Sequence, residues 1–147
     1  MPLAERSAEA VWEGNLAKGS GTVTPATGAF GTLPVSWAAR TEQPGGKTSP
    51  EELAAAAHSS CYSMAFSAVL DQHGAPPERL TVTATVTFDE VDGKPTVTTS
   101  HLGVRGRVPG MDQDTFAEAA EEAAAFCPIS RLFAGAEISV DATLENG

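Results

Sequence analysis

The sequence predicts an α+β domain with the element order βββ-α-ββ-α-α-β, antiparallel sheets and a buried central helix. Three observations support this prediction. The first 40 residues alternate and turn often, residues 50–74 form a run of good helix formers, and 79–109 alternates with a period of two on both sides of an Asp-Gly pair. With a length of 147 residues, the chain is expected to form one domain over 1–147 with a modest core.

The first three strands are expected at 9–16, 20–28 and 32–40, where glycines separate short alternating segments. A loop rich in glycine and proline follows at 42–49. The sequence therefore places three short strands before the first helix.

The central helix has a clear start and a clear end. Ser49 can cap it, Pro50 suits its first position, and Glu52 completes a capping box with Ser49. Gly74 and the prolines that follow should stop it. Since the helix is small and apolar on nearly every face, the pattern predicts that it is buried.

The second half of the chain supplies a hairpin, two helices and a last strand. Asp92 and Gly93 are a hairpin turn signal, and Pro128 should break the second long helix so that a short helix restarts there. The expected elements are strands at 79–91 and 95–109, a helix at 113–126, a short helix through Arg131 and Leu132, and a strand at 136–146.

Charge and composition exclude several classes of function. The net charge is −10 with nine Lys and Arg in total, so a basic patch for nucleic acid or for an anionic membrane is not possible at useful density. No apolar run approaches the ~18 residues of a membrane span, and the start of the chain lacks the apolar region of a signal peptide. We therefore expect no nucleic-acid partner, no membrane association and a cytoplasmic location.

The chain has two cysteines, Cys61 in the central helix and Cys127 just before Pro128, 66 positions apart. In a reducing compartment such cysteines are free or redox-active thiols rather than structural disulfides. There is no C-x-x-C motif, and the three histidines show no metal-ligand spacing with the cysteines. This spacing predicts no metal site.

Cys61 has two open interpretations. It is either a small buried apolar residue or a nucleophile, and a nucleophile must be a thiolate although burial raises the pKa of a thiol. A cation close to the sulfur would resolve this conflict. His58, one turn earlier, is either that cation or a structural residue, and an arginine suits the task better because it keeps its charge when buried.

Cys127 is either a packing residue at a helix end or a thiol that resolves an oxidised Cys61. At the start of a short helix, free N–H groups would favour its thiolate.

Other catalytic arrangements fit the sequence less well. A serine nucleophile lacks a G-x-S-x-G elbow, and the neighbouring Glu51 and Glu52 do not face each other on a helix. The residues available for a serine–histidine pair are Ser59, Ser60, Ser130, His73 and His101.

The motifs around the cysteines resemble those of the OsmC/Ohr family, whose members reduce organic hydroperoxides with a reactive cysteine. The resemblance rests on 49-SPEELAAAAHSSCYSMAFSAVL-70, an early VWEGNLAKGSGTV, the FDEVDG hairpin and the CPIS segment. It covers essentially the whole chain and points to the OsmC branch. It implies an OsmC-like fold and an intertwined homodimer with two sites at the interface.

The resemblance also implies a mechanism in which Cys61 is the peroxidatic thiolate. It would attack an organic hydroperoxide, release an alcohol and become a sulfenic acid, which Cys127 would resolve as a disulfide. An external dithiol would then reduce the disulfide, and relatives in the Ohr branch use lipoylated proteins for this step. The resemblance implies no metal and no bound cofactor.

The family uses an arginine after the third strand and a glutamate after the proline that starts the helix, which match Arg40 and Glu51. The resemblance implies that Arg40 stabilises the thiolate and that Glu51 holds its guanidinium. Without the resemblance, they are a surface arginine and a first-turn carboxylate on the helix dipole. Glu51 lies about 15 Å from Cys61 along the helix axis, so it acts through an intermediary or serves the site of a second chain.

Two other functions stay open at this point. The same fold can be a binding module for an apolar ligand with inert cysteines, or a redox sensor whose disulfide is not recycled. Side chains that either line an apolar pocket or pack in the core are Met64, Phe66, Phe116 and Phe126.

Overall fold

Six strands and four helices make up residues 1–146, the part of the chain that the computed structural model describes. The strands are β1 Ala8–Glu13, β2 Ser20–Pro25, β3 Leu33–Val35, β4 Arg79–Val91, β5 Lys94–Arg107 and β6 Glu137–Leu144. The helices are α1 Trp37–Thr41, α2 Pro50–Gln72, α3 Gln113–Phe126 and α4 Pro128–Leu132. The predicted order is confirmed, with α1 added. The chain divides into two compact units, the second of which begins at Ala54.

The first unit contains an antiparallel sheet in the order β1-β2-β3. β3 is short because Ser36 ends it. The Ser36 hydroxyl accepts a hydrogen bond from the N–H of Ala39 at 3.1 Å and so caps α1. The prediction of one strand over 32–40 was therefore wrong beyond Val35.

α2 starts at the predicted cap. The N–H of Glu52 donates to the Ser49 hydroxyl at 3.1 Å. The Glu52 carboxylate accepts from the Thr48 hydroxyl at 2.7 Å, a pairing that the predicted capping box does not include. The helix ends at Gln72, slightly before Gly74, whose φ of +74° turns the chain.

Burial divides α2 into two faces. The side chains that are 5% exposed or less are His58, Tyr62, Ala65, Phe66, Val69 and Leu70. On the opposite face Met64 is 71% exposed, and Ala57, Ser60 and Ala68 are exposed as well. Burial of the central helix is thus confirmed for one face, and burial on nearly every face does not hold in the single chain.

By length and composition alone α2 is long and apolar enough to cross a membrane, with a mean hydropathy of 1.2. The expectation that no apolar run approaches the length of a membrane span was therefore wrong for α2. The core helix of a soluble protein passes the same criteria. Because His58 in this helix is buried and hydrogen-bonded to two serines of other elements, α2 has the contacts of a core helix.

The second unit contains a sheet in the order β4-β5-β6. β4 and β5 form the predicted antiparallel hairpin, with positive φ at both Asp92 and Gly93. β6 pairs with β5 in parallel, so the prediction of antiparallel sheets was wrong for this strand. α3 and α4 return the chain between the two strands, which is the crossover that a parallel pair requires.

The core of the second unit joins α2 to α3 and β5. The ring centroids of Phe66 and Phe116 lie 5.0 Å apart, and those of Tyr62 and Phe66 lie 5.7 Å apart. The Tyr62 hydroxyl donates to the Ala120 carbonyl at 2.7 Å, which satisfies the polar atom of a buried ring. Since Tyr62 directly follows Cys61, these contacts also fix the direction in which Cys61 points.

We expect Gly106→Ala to destabilise the second unit. An added Cβ at this position in β5 would come 2.6 Å from the ring of Phe116 and 3.0 Å from the side chain of Leu80. Phe116 is fully buried, so its ring has little room to move. The free energy of unfolding in urea should fall by about 1–3 kcal/mol.

Gly103→Ala is the matched control in the same strand. Its Cβ would meet the Thr83 carbonyl oxygen at 3.9 Å, an ordinary contact, and losing a glycine restricts the unfolded chain. This variant should be at least as stable as the wild type. Equal stability of the two variants would contradict the tight packing of Phe116 on β5.

Candidate active site

The two cysteines lie in the second unit and are both free thiols. Cys61, in the middle of α2, is partly exposed, whereas Cys127 is fully buried. Cys127 is both the last cap of α3 and the first cap of α4. Pro128 takes the first position of α4, where its missing N–H costs nothing. The sequence therefore holds Cys127 at a fixed junction of two helices.

Cys127 lies close enough to Cys61 to affect its ionisation in the resting chain. Burial, the largest effect, raises the pKa of the Cys61 thiol, whereas a hydrogen bond from the backbone N–H of Ile129 lowers it. A hydrogen bond with Cys127 and repulsion from its charge raise the pKa again, and the net result lies above the ordinary value. The second unit by itself therefore favours the protonated form of Cys61 at neutral pH.

Arg40 and Glu51 lie in the first unit and form a two-pronged ion pair. Arg40 Nε donates to Glu51 Oε1 at 2.8 Å and to Oε2 at 3.1 Å, and Arg40 Nη2 lies 2.6 Å from Oε1. The side chains are 28% and 10% exposed, respectively. α1 positions the arginine and the first turn of α2 positions the glutamate, so the guanidinium plane is fixed from both sides of the intervening loop.

An apolar cavity of about 300 Å³ lies beside Arg40. Its lining consists of Trp12, Leu16, Val35, Ser36, Trp37, Arg40 and Pro50. The guanidinium carbon of Arg40 lies 5.8 Å from the centre of the Trp37 ring, within the range of a cation–π contact. Sequence reasoning missed this lining. The available signal was the position of Trp37 three residues before Arg40.

His58 is a satisfied buried residue rather than a cation for Cys61. Its Nδ1 lies 2.6 Å from the Ser100 hydroxyl, and its Nε2 lies 2.8 Å from the Ser130 hydroxyl. Burial lowers its pKa, so the ring is neutral at neutral pH. Because both nitrogens are occupied, His58 has no nitrogen left for the thiol.

The serine–histidine pairs considered from the sequence do not assemble. His73 bonds to Glu122 and His101 bonds to Ser139, both on the surface. Ser59 and Ser60 donate to helix carbonyls. Within residues 1–146 there is also no group of three His, Cys, Asp or Glu residues that could hold a metal ion.

The aromatic and methionine candidates separate into two groups. Phe66 and Phe116 are core residues at 0% exposure, whereas Met64 and Phe126 are 71% and 55% exposed. A larger polar cavity of about 860 Å³ lies elsewhere in the second unit and contains none of the predicted site residues.

Known proteins are similar to this chain in sequence and in fold. Residues 43–143 match the family model described as OsmC-like protein. Proteins named peroxiredoxin OsmC from Escherichia coli (strain K12) and Shigella flexneri are each 38% identical over 141 residues, which is 96% of this chain and 97% of theirs.

Two solved structures show the same fold at lower identity. An OsmC-like protein of unknown function from Vibrio cholerae has a TM-score of 0.74 and 18% identity, covering 96% of this chain and 100% of that one. An organic hydroperoxide resistance protein OsmC from Legionella pneumophila has a TM-score of 0.72 and 22% identity, covering 96% and 99%.

We expect Cys127→Ala to lower the pKa of Cys61. The variant removes the hydrogen bond and the repulsion by which Cys127 raises that pKa. A lower pKa gives more thiolate at a given pH, so alkylation of Cys61 by iodoacetamide should reach its plateau at a lower pH than in the wild type. Mass spectrometry of the Cys61 peptide measures this rate separately from labelling of Cys127. A profile that stays in place or moves to higher pH would contradict this effect of Cys127 on Cys61.

Proposed function

The chain belongs to the OsmC-like protein family, and on that premise we propose that it is a thiol peroxidase that reduces organic hydroperoxides to alcohols. The observation that carries this proposal is the placement of two free cysteines on one core, where Cys127 lies close enough to Cys61 to raise its pKa. A second thiol close to a peroxidatic cysteine can resolve its sulfenic acid as a disulfide. The relatives named peroxiredoxin OsmC support a peroxidase role.

The reaction has three balanced steps. The Cys61 thiolate attacks the outer oxygen of the hydroperoxide, the O–O bond breaks, and the alkoxide takes up a proton and leaves as the alcohol, so that Cys61 becomes a sulfenic acid. Cys127, as a thiolate, attacks the Cys61 sulfur and displaces hydroxide, which leaves as water after protonation. An external dithiol, such as that of a lipoylated protein, then reduces the disulfide by two exchange steps and is itself oxidised.

Arg40 is proposed to supply a positive charge that would stabilise the Cys61 thiolate. The surroundings of Cys61 raise its pKa, so a peroxidase requires a cation that stays charged when it is buried, as a guanidinium does. The two-pronged bond to Glu51 fixes the plane of that guanidinium. Glu51 is therefore a positioning residue that acts through Arg40.

The apolar cavity beside Arg40 supports a preference for organic hydroperoxides. An organic substituent that leaves water for the surface of Trp12 and Trp37 gains about 25 cal/mol per Å² of buried apolar area. Hydrogen peroxide has no such substituent. Arg40 would thus act on organic hydroperoxides and on hydrogen peroxide alike, and the apolar cavity would favour the organic ones.

We further propose that the active form is an intertwined cytoplasmic homodimer in which Arg40 and Glu51 of one chain complete the site of the other. Glu51 and Cys61 are ten residues apart in α2, or about 15 Å along its axis. The unburied face of α2, where Met64 is 71% exposed, is a surface that a second chain can cover. In this arrangement each chain, residues 1–147, would be a single domain. Two free cysteines suit a reducing compartment.

Binding of an apolar ligand without turnover is a second candidate function, which the tryptophan-lined cavity favours. Both cysteines would then be inert toward peroxide. A redox sensor, by contrast, would form the disulfide once and would not be recycled by a dithiol.

The first test is a titration of free thiols after addition of cumene hydroperoxide or hydrogen peroxide. The wild type should lose both thiols of each chain and should lose them faster with the organic peroxide. Cys61→Ser should keep Cys127 reduced, and Cys127→Ser should stop at the Cys61 sulfenic acid, detected by mass spectrometry as a dimedone adduct. Addition of a lipoyl dithiol should restore both thiols of the wild type.

Thiols that survive both oxidants in folded protein would leave ligand binding as the function, and a disulfide that the dithiol does not reduce would indicate a sensor.

The second test asks which chain supplies Arg40. Arg40→Met and Cys61→Ser should each reduce peroxidase activity by about 100-fold or more, because each removes a group that acts on the reacting atoms. In co-expressed mixed dimers, a site completed across the interface regains one intact centre per heterodimer. Random pairing should then restore about a quarter of the wild-type activity per chain. No recovery in verified heterodimers would place Arg40 and Cys61 of one site in the same chain, and a monomer by light scattering would contradict the dimer.

A further inference from the structure

His58 joins three elements of the second unit around the cysteines. It lies in α2, three residues before Cys61, and is fully buried. One ring nitrogen bonds to Ser100 of β5 and the other to Ser130 of α4. The edge of the ring packs on Phe133, directly after α4, with centroids 5.2 Å apart and planes at 79°. The imidazole therefore ties α2 both to the sheet and to the short helix.

The short helix α4 carries what Cys61 contacts. Cys127 caps its start, and Ile129, which packs on the same core as Cys61, has a backbone N–H that lowers the Cys61 pKa. Ser130, the residue after Ile129, is the point at which His58 holds the helix. Because α4 has only five residues, its own backbone hydrogen bonds are few, and a side-chain bond from α2 has a large effect on where its first turn lies.

We propose that His58 is a positioning residue for the redox centre: through Ser130 it holds α4 so that the N–H of Ile129 and the Cys127 thiol both face Cys61. His58 does not touch the reacting atoms, because both of its nitrogens are occupied by serines. The importance of this position for turnover rests on the proposed peroxidase function, whereas its effect on the Cys61 thiol does not.

The chemistry of imidazole suits this task. A neutral ring donates from one nitrogen and accepts at the other, and each serine hydroxyl can take either role, so all four groups are satisfied without a buried charge. Within residues 1–146 no buried side-chain nitrogen or oxygen lacks a partner. The ring also has a rigid shape that fixes the directions of its two bonds, which a flexible amide side chain does not.

The test uses the Cys127→Ala background, in which the effects of Cys127 on Cys61 are absent and the Ile129 hydrogen bond remains. Ser130→Ala breaks the link between His58 and α4 and should weaken that bond. Alkylation of Cys61 by iodoacetamide at neutral pH should then slow by about threefold or more, and its pH profile should move to higher pH. Ser130→Thr keeps the hydroxyl and should restore the profile.

Ser139→Ala is the matched control, because it removes a serine–histidine hydrogen bond of similar length, 2.6 Å to His101, on the exposed face of the sheet. Its profile should match the background. His58→Phe breaks the same link from the other end and keeps a ring against Phe133, so it should shift the profile as Ser130→Ala does. Circular dichroism checks that each variant is folded. If either Ser130→Ala or His58→Phe does not fold, the profile of the other variant tests the proposal. Profiles of both variants that coincide with Ser139→Ala would overturn the proposal.

A second readout separates this proposal from the peroxidase function. In the chain with both cysteines, Ser130→Ala should slow the attack of Cys127 on the Cys61 sulfenic acid. A second hydroperoxide then oxidises that sulfenic acid to a sulfinic acid and leaves as alcohol, so the ratio of sulfinic acid to disulfide should rise several-fold. If no variant consumes peroxide but the alkylation profile shifts as expected, the positioning role stands and the peroxidase function fails. If the profile is unchanged and turnover is normal, the peroxidase function stands and the positioning role fails.

Discussion

The packing of one face of α2 against α3 is the constraint on which the second unit depends. Phe66 lies 5.0 Å from Phe116, and the Tyr62 hydroxyl bonds to a carbonyl of α3. These contacts set the rotation of α2 about its axis. Since neighbouring helix residues differ in direction by about 100°, Cys61 is then turned away from the aromatic core, toward the junction where α3 ends at Cys127. The packing that buries the rings therefore also brings the two thiols together.

A thiol that must meet an organic substrate in a dry site is in conflict with its own ionisation. The groups that favour the Cys61 thiolate are the N–H of Ile129, which the fold supplies directly, and the guanidinium of Arg40, which the proposed dimer would supply. A backbone N–H and a guanidinium do not titrate near neutral pH. His58 is neutral there, because burial lowers its pKa. The pH dependence of the reactive thiol therefore originates in Cys61 itself.

Local signals predicted the parts of the fold that local interactions define. The cap at Ser49 and the turn at Asp92 and Gly93 formed where the sequence placed them. The parallel pairing of β6 depends on where two helices return the chain, and no residue within β6 specifies it. The bonds of His58 reach residues 42 and 72 positions away, a separation at which a single sequence has no periodicity to read. The family resemblance linked Arg40 to Glu51, but the cavity beside them followed only from the fold.

The hydrogen bond from Ile129 also bears on how easily the proposed disulfide is reduced. It stabilises the ionised form of Cys61, and oxidation replaces that charged acceptor with a neutral sulfur. An interaction that favours the reduced form makes the disulfide more oxidising, since it acts on one side of the couple only. This effect acts on the ionised thiol, the form that Arg40 of the proposed dimer would maintain. Burial disfavours that form and acts in the opposite direction. A peroxidase that is recycled needs a disulfide that a dithiol can reduce, because both thiols must be regenerated at every turnover. α4 carries both Cys127 and the Ile129 N–H, so its placement by His58 bears on the reduction of the disulfide through both residues.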